Sequence, residues 1–592
     1  MSGAASARIA PSHELFPGDI FNLADIVLEV ARHDPDRVAV IEPAGRGADG
    51  KRQYRRHTYR ELSRDAESVA VGLRDICIAE GTRTVFMAPP SYEACVVGVA
   101  LTRVGATTVW IDPGVGFLNV AERLRRLDIE AFVGIPLAHV GRTCFGWGPR
   151  LLDRAISIGG RFPGAYTVDS LRRTAPATPR APVVAPYDAA AIMYTTGSTG
   201  PAKPVLYQHR NMCNIFRLVH RTWRFAERGG VPVDMPVFPA FFSIGLSAGG
   251  TVVVPPIDYV RQSPEKVNPR ALVEVIDDCR VQTLFASPII LENLAGLERE
   301  GTTMRSLHTV VGGGAPMYAP VIGALGRMIA EDGEVHADYG ATETLPATEM
   351  PGREAMAETY ALTAKGAGLC VGRPFAGVEI KIVAISDGPI ATLADARELR
   401  TGEIGEIIVR GPHVSPAYAD DPESTAKNKI AGDGGTVWHR LGDAGYLDDR
   451  GRLWCCGRVG HRIELASGPM FPLLCEPIFD AHPRVRRSGL VGVRIGDTVT
   501  PVICVELVDG ATRGAAVDAI RAELLELAAA HPATSGIRHV LFRSRLPVDP
   551  RHNSKIERPA LARWATRRLG TKSPKNGLRN ALPFGKHSST AW

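Results

Sequence analysis

No stretch of 18 apolar residues occurs in the 592-residue chain, so a membrane-spanning helix is not expected. The nearest candidate, 241–257, is broken by Ser243, Ser247, three glycines and Pro255–Pro256. A charged-then-apolar leader is also missing from the N-terminus, and the reading predicts a cytoplasmic protein. The ten cysteines are scattered and only Cys455 and Cys456 are adjacent. Without CxxC pairs or Cys/His clusters a zinc site is excluded, and reduced core cysteines are expected. Acidic residues are absent from Arg567 onward, where Arg567, Arg568, Lys572, Lys575, Arg579 and Lys586 account for the whole net charge of +6. The remaining body is formally neutral, which excludes a basic stripe for nucleic acid. The 567–592 tail, rich in Gly, Ser, Pro and Asn, reads as disordered. Internal repeats are absent as well.

What the chain does have is a soluble, globular balance of 45% hydrophobic and 22% charged residues, with length for several compact units. Its most distinctive stretch is YTTGSTGPAKPV at 194–205. Gly197, Gly200, Pro201 and Pro204 exclude a helix interior or a central strand. The stretch reads as a loop suited to phosphate, with glycine-exposed N–H groups, hydroxyls at Thr195, Thr196, Ser198 and Thr199, and a cation at Lys203. It is not a nucleotide P-loop. Pro201 and Ala202 separate Gly200 from Lys203, Pro204 follows, and the required Gly-Lys-Ser/Thr is absent.

Early in the chain LADIVLEVARH and ACVVGVALTRVG read as helices, and TVFMAPP as a strand running into a loop. In the middle, VQTLFASP (281–288), LHTVVGGGAP (307–316) and EVHADYGATE (334–343) read as strands separated by helical patterns. Such alternation predicts a parallel sheet with right-handed crossovers, whose ligands bind beyond the C-terminal strand ends. Those ends bring Ser287, Gly312–Gly314 and Tyr339–Glu343 toward one crevice. GVEIKIVAI and GEIGEIIVRGP then suggest antiparallel strands around a polar insertion at 387–402. After WCCGR the texture becomes a shorter mixed α/β stretch, with strands near 488–494 and 502–507 and a helix near 513–530. The expected fold is therefore α/β: a large N-terminal body (1–457) with parallel-sheet subdomains and a β-rich subdomain, then a small mobile α+β C-terminal domain (458–566).

In the order and spacing of the 195–203 loop, GGGAP (312–316), YGATE (339–343), GEIGEIIVRGP (402–412), GDAGYLD (442–448), Gly457–Arg458 and Lys555, the chain resembles the adenylate-forming superfamily of acyl-CoA synthetases, peptide-synthetase adenylation domains and luciferases. The resemblance implies ATP and Mg²⁺. Ser198, Thr199, Gly197 and Gly200 would hold the β/γ-phosphates with Lys203 nearby, and Thr195 and Thr196 belong to the same nucleotide-binding loop. Thr342 and Glu343 would hold phosphate and the metal, beside Gly340. Gly313, Gly314, Ala315 and Pro316 would lie against adenine, with Tyr339 stacked on it. Asp443 would take the ribose hydroxyls, Arg458 would contact ribose or phosphate, and Lys555 would bridge the substrate carboxylate and the α-phosphate. Lys555, Glu343 and Arg458 are the expected catalytic residues. The chain departs from the superfamily in reading Ala-Lys-Pro at 202–204, where Pro-Lys-Gly is common.

The segment expected to line the acyl pocket, FPAFFSIGLSAGGT, carries Phe241, Phe242, Ile244 and Leu246 and no acid for an amino-acid ammonium, which favours a fatty-acyl substrate. A carrier signature after the small domain is lacking, which argues against a peptide-synthetase module. TTGSTGPAK, YGATETLPAT, WHRLGDAGYLDDRGRLWCCGR and PVDPRHNSKIERPAL closely resemble the olefin-pathway β-lactone synthetases, in which a β-hydroxy fatty acid is adenylated and its own hydroxyl displaces AMP. Gly460 stands where CoA ligases tend to carry a hinge aspartate, and the following segment lacks their Arg-Ile-x-Pro-x-Glu pattern. The expectation is therefore β-lactone formation. A fatty-acyl-CoA ligase, with CoA as cosubstrate, is the alternative, and a non-catalytic acyl- or nucleotide-binding protein the alternative of another class. His209 and His461 are weighed as bases for the hydroxyl and read as structural histidines. Other enzymes of the same lipid pathway are the expected protein partners, with no nucleic acid and no transmembrane segment.

Overall fold

The computed structural model describes residues 22–111, 117–147, 153–173, 184–195, 201–223, 231–548 and 556–569. Their contacts divide into two compact units; the first runs to Gly460 and takes in Val548 as well, and the second comprises 461–547 and the chain from Ile556.

The first unit is built on two large sheets. One has eight strands, with a parallel core running through Arg83–Met87, Thr107–Trp110 and Ala131–Gly134. At its far side Ala189–Tyr194 pairs in parallel with Thr107–Trp110, and Pro204–Gln208 pairs back on it antiparallel. The second sheet has fourteen strands. Its middle is the parallel set Val233–Pro236, Thr283–Ala286, Thr309–Gly312 and Glu334–Tyr339. Every residue of Thr283–Ala286 and Thr309–Gly312 is buried, as expected of strands covered on both faces. Helices Pro269–Cys279, Pro288–Ala295 and Ala319–Met328 connect this set. Proline opens the first two, where its missing N–H costs nothing.

The β-rich part is not a separate sheet. Thr348–Pro351 runs antiparallel to Glu334–Tyr339 and pairs through Thr348 and Glu349 with Leu369–Pro374. Through that bridge Val437–Leu447 and Leu453–Arg458 continue the parallel sheet. Arg458 ends the last of these strands and stays in the first unit.

In the second unit Val485–Ile495 pairs antiparallel with Thr498–Leu507, and His539–Phe542 adds in parallel. Helices Pro472–Asp480, Ala515–Ala529 and Arg558–Arg568 accompany this sheet. The last helix runs two residues beyond the expected end of the domain, and Leu569 packs against the core under it. Arg558 locks it down, donating to both oxygens of buried Glu476, which also accepts the Leu490 N–H at 2.7 Å.

The cysteines fulfil the expectation of core residues: eight of the ten are buried, Cys77 and Cys144 are exposed, and all ten are unbridged. Among the described residues no helix is long and apolar enough to cross a membrane.

Candidate active site

The strands on either side of the Thr/Ser/Gly stretch pair antiparallel. Tyr194 pairs with Pro204, the Thr195 N–H donates to the Lys203 carbonyl at 3.0 Å, and the Lys203 N–H returns a bond to Thr195 Oγ1 at 3.0 Å. This neck is fastened at both sides. Thr196, Gly197, Ser198, Thr199 and Gly200 lie outside the described residues, as does Lys555. The ends of the Lys555 segment are nevertheless held together, because the Glu557 N–H donates to the Pro547 carbonyl at 2.9 Å.

Lys203 leans over the ring of Tyr418, its Nζ 5.3 Å from the centroid. Tyr418 is buried and donates its hydroxyl to Glu343 Oε1. A second ammonium, that of Lys429, lies 5.6 Å from the same ring and donates to the Ser415 carbonyl at 2.7 Å and to its Oγ at 2.9 Å. His439 sits across the strand pair from Lys429, its Nε2 3.9 Å from Glu343 Oε2. Its Nδ1 donates to the Asn428 carbonyl at 3.1 Å, which leaves Nε2 as the unprotonated nitrogen. Burial, with the two lysines adding to it, holds this imidazole well below the ordinary histidine range and therefore neutral. Burial also pulls the lysines down, Lys429 to about 7, while Glu343 opposes the shift in both.

Glu343 is thus a buried carboxylate with one oxygen bound by a phenol and, among the described residues, no hydrogen-bond donor on the other. The neighbouring Thr342 gives its carbonyl to the Tyr207 hydroxyl and is half-buried. Among the described residues no group of three or more His, Cys, Asp or Glu could hold a metal ion. Magnesium, which keeps waters and shares its ligands with phosphate oxygens, fits such a single carboxylate; a zinc cage does not.

A second cluster lies where the parallel and antiparallel strands meet. Tyr339, last in its strand, donates its hydroxyl to Asp443 Oδ2 at 2.7 Å, and Arg458 Nε stands 3.1 Å from Asp443 Oδ1. Arg458 also donates to the Leu441 carbonyl at 2.9 Å. Asp443 holds the guanidinium above its ordinary pKa, and burial pushes the Tyr339 phenol up. Gly313 is buried between Tyr339's strand and Phe285: an added methyl would sit 3.6 Å from the Phe285 ring and 3.8 Å from the Asp338 carbonyl oxygen. Gly314 has φ +85 and is exposed, a turn only glycine adopts without strain. Ala315 and Pro316 follow it half-buried, and Gly340 is exposed. An added Gly340 methyl would strike the Thr344 carbonyl at 2.7 Å.

The apolar segment forms a turn and a short helix, Pro239–Phe241 and Phe242–Ser247. Phe242 and Leu246 line a cavity of about 130 Å³ whose walls include Phe86, Trp110, Met193 and Phe216. Ile244 instead packs into the core, and Phe241 stands against Phe285 with centroids 4.5 Å apart. His209 is a buried residue of the cavity wall, and His461 belongs to the second unit.

Sequence reasoning did not single out Tyr207, Tyr418, Lys429 or His439. Lys429 lies in the polar string TAKNKI, and only its pairing with His439 takes it inside.

The sequence model of the AMP-binding enzyme matches residues 27–419. Two curated relatives, both named olefin beta-lactone synthetase, come from Stenotrophomonas maltophilia (39% identical over 93% of this chain and 98% of the relative) and Xanthomonas campestris pv. campestris (38%, 92% and 97%). Among solved structures, the amide bond synthetase McbA from Marinactinospora thermotolerans superposes with a TM-score of 0.73 at 22% identity, covering 92% of this chain and 99% of that one. Matched by the family across two thirds of its length and by these relatives over nearly all of it, the chain belongs to the AMP-binding family of adenylate-forming enzymes and is an AMP-forming ligase.

Proposed function

We propose that the enzyme activates a β-hydroxy fatty acid with ATP and Mg²⁺ and closes it to a β-lactone with release of AMP. The observation that carries this reading is the 38–39% identity to two olefin beta-lactone synthetases, sustained over more than nine-tenths of the chain. An apolar cavity walled by Phe86, Trp110, Phe216 and Phe242 supports an alkyl chain as its occupant.

In this reading the substrate carboxylate attacks the α-phosphorus of ATP, and pyrophosphate leaves. Lys203 and the 195–200 loop gather the β/γ-phosphate charge. Glu343 and Thr342 hold the magnesium ion, whose contribution is to offset charge on the transferring phosphates. Asp443 accepts the ribose hydroxyls with the lone pairs that Tyr339 and Arg458 leave open, and Gly313–Pro316 let the adenine lie close to the backbone. Lys555 bridges the carboxylate and the α-phosphate, acting on charge that develops in the transition state. The substrate's tethered hydroxyl then displaces AMP. Holding a nucleophile near its target is worth up to about 7–11 kcal/mol in well-aligned systems, so no thiol is required.

The test is to incubate the purified protein with ATP, Mg²⁺ and a long-chain β-hydroxy acid, with and without CoA, and to identify the acyl product by mass. A β-lactone formed without CoA is expected. A thioester from simple fatty acids, with no lactone from the hydroxy acid, would make the enzyme a CoA ligase.

A further inference from the structure

Asp338 precedes Tyr339 at the C-terminal end of its strand. Because side chains alternate across a sheet, it projects to the face opposite Tyr339, away from Asp443. There the Trp223 indole stands beside it and favours its charged form. Trp223 stacks on Phe285, with centroids 5.8 Å apart, and Phe285 meets Phe241. Phe241 directly follows Pro239 and Ala240, which line the cavity. The carboxyl therefore stands at the join between the nucleotide-side strand ends and the aromatic group that leads to the apolar chamber.

Asp338 Oδ1 is sealed from water and has no hydrogen-bond partner among the described residues. A native protein seldom leaves a buried carboxyl oxygen unmatched, and such an atom calls for an explanation. Structural duty does not supply one here. On its own strand the nearest charged group, His336, is already ion-paired with Glu349 of the adjoining strand, which stands opposite Asp338 in register. On the other side the Thr309–Gly312 strand offers no titratable group, and among the described residues the helix end presents the Trp223 indole. Among the described residues this oxygen stands unmatched, with room in its bonding capacity for a donor.

We infer that Asp338 is the base that takes the proton of the substrate's β-hydroxyl as the ring closes, an inference that rests on the β-lactone reading above. The step balances without a further reactant. The hydroxyl proton passes to the Asp338 carboxylate, the hydroxyl oxygen bonds to the acyl carbon, the acyl–phosphate C–O bond breaks, and AMP leaves with the electron pair. Burial pushes the Asp338 carboxyl up to about 7, with Glu349 adding and His336 and Trp223 opposing. That value makes it a stronger base than an exposed carboxylate while leaving a large ionised fraction near neutral pH.

The experiment compares wild type with Asp338→Asn in ATP and Mg²⁺, measuring pyrophosphate exchange and β-lactone mass on β-hydroxyhexadecanoic acid, and exchange alone on hexadecanoic acid. The ratio of lactone formed to adenylate formed should fall about 100-fold in the variant, the lower end of what a positioned base contributes. In wild type that ratio should rise with pH through about 7, following ionisation of the carboxyl, and in the variant it should not. A variant that folds poorly reveals itself by losing exchange with hexadecanoic acid, and Asp338→Ser then carries the same comparison. An unchanged ratio, or exchange and closure falling together in both variants, overturns the inference. Failure of the underlying reading shows separately, as a wild type that makes no lactone, and the inference falls with it.

Discussion

Asp443 and Arg458 face each other in register across the last two strands of the first unit, Nε to Oδ1 at 3.1 Å, while Tyr339 holds the other carboxylate oxygen at 2.7 Å. The three residues come from three motifs far apart in sequence, and their contacts fix the carboxylate's orientation before any ligand arrives. Asp443→Asn removes the charge from this arrangement. A hydrogen bond to a charged group contributes about 1.5–3 kcal/mol, so the KM for ATP should rise on the order of ten- to a hundredfold. Tyr339→Phe, which keeps the ring and loses one bond, should cost less. An ATP titration measures both, and unaltered affinity in Asp443→Asn would reduce the trio to strand cement.

Lys429 should leave a signature in stability against pH. Its ammonium is buried and its pKa lowered to about 7 from an ordinary 10.5, chiefly by burial. Below pH 7 it is protonated in both folded and unfolded chains, and the burial penalty is fully present. Between pH 7 and the unfolded value the unfolded chain binds the extra proton, so stability climbs as pH rises. The melting midpoint of wild type should therefore increase from pH 7 to 9, and Lys429→Met should flatten that slope. Calorimetry across the window decides; parallel slopes would show that Lys429 carries its charge in the folded protein.

Two of the strands that build the crevice, Thr283–Ala286 and Thr309–Gly312, were legible because full burial demands short apolar runs, whereas Glu334–Tyr339, only partly buried and carrying Glu334, His336 and Asp338, was legible from its place in the strand–helix alternation. The cluster at Asp443 was legible only through family motifs, since a turn aspartate and an arginine at the end of a strand look ordinary by themselves. Lys429 and His439 were not legible at all. Nothing in TAKNKI or VWHRLGD distinguishes an inward ammonium from a solvated one until register pairs the two residues beside Glu343. The joined sheet escaped for a related reason: its bridge is Thr348–Pro351, too short and too polar to announce a central strand.

Glu343→Gln tests the metal carboxylate. An amide is a poorer ligand for a hard cation, so the magnesium concentration for half-maximal pyrophosphate exchange should rise several-fold and the maximal rate should fall. Tyr418→Phe offers a contrast. It removes the hydroxyl donated to Glu343 Oε1 and keeps the charge, so the magnesium requirement should move far less. A Glu343→Gln titration superposing on wild type would make the glutamate a structural partner of Tyr418 alone.

The cavity wall has room for an added β-carbon at one glycine. Gly98 lies within the Tyr92–Arg103 helix and on the cavity lining, and nothing stands within 4 Å of where its Cβ would be. A leucine there would project into the space, and replacing a mid-helix glycine removes a cost of about 0.5–1 kcal/mol. If the cavity is an unused void, Gly98→Leu should only stabilise the protein, by raising helix propensity and burying apolar surface. If it receives the alkyl chain, the same variant should be more stable and yet lose long substrates. Its KM for a sixteen-carbon acid should rise about tenfold, the cost of roughly 1.4 kcal/mol of lost binding, while the KM for ATP and for a short-chain acid stays near the wild-type value. Steady-state kinetics along a chain-length series, beside a melting curve, separates the outcomes. Greater stability with no change at any chain length would move the acyl group elsewhere.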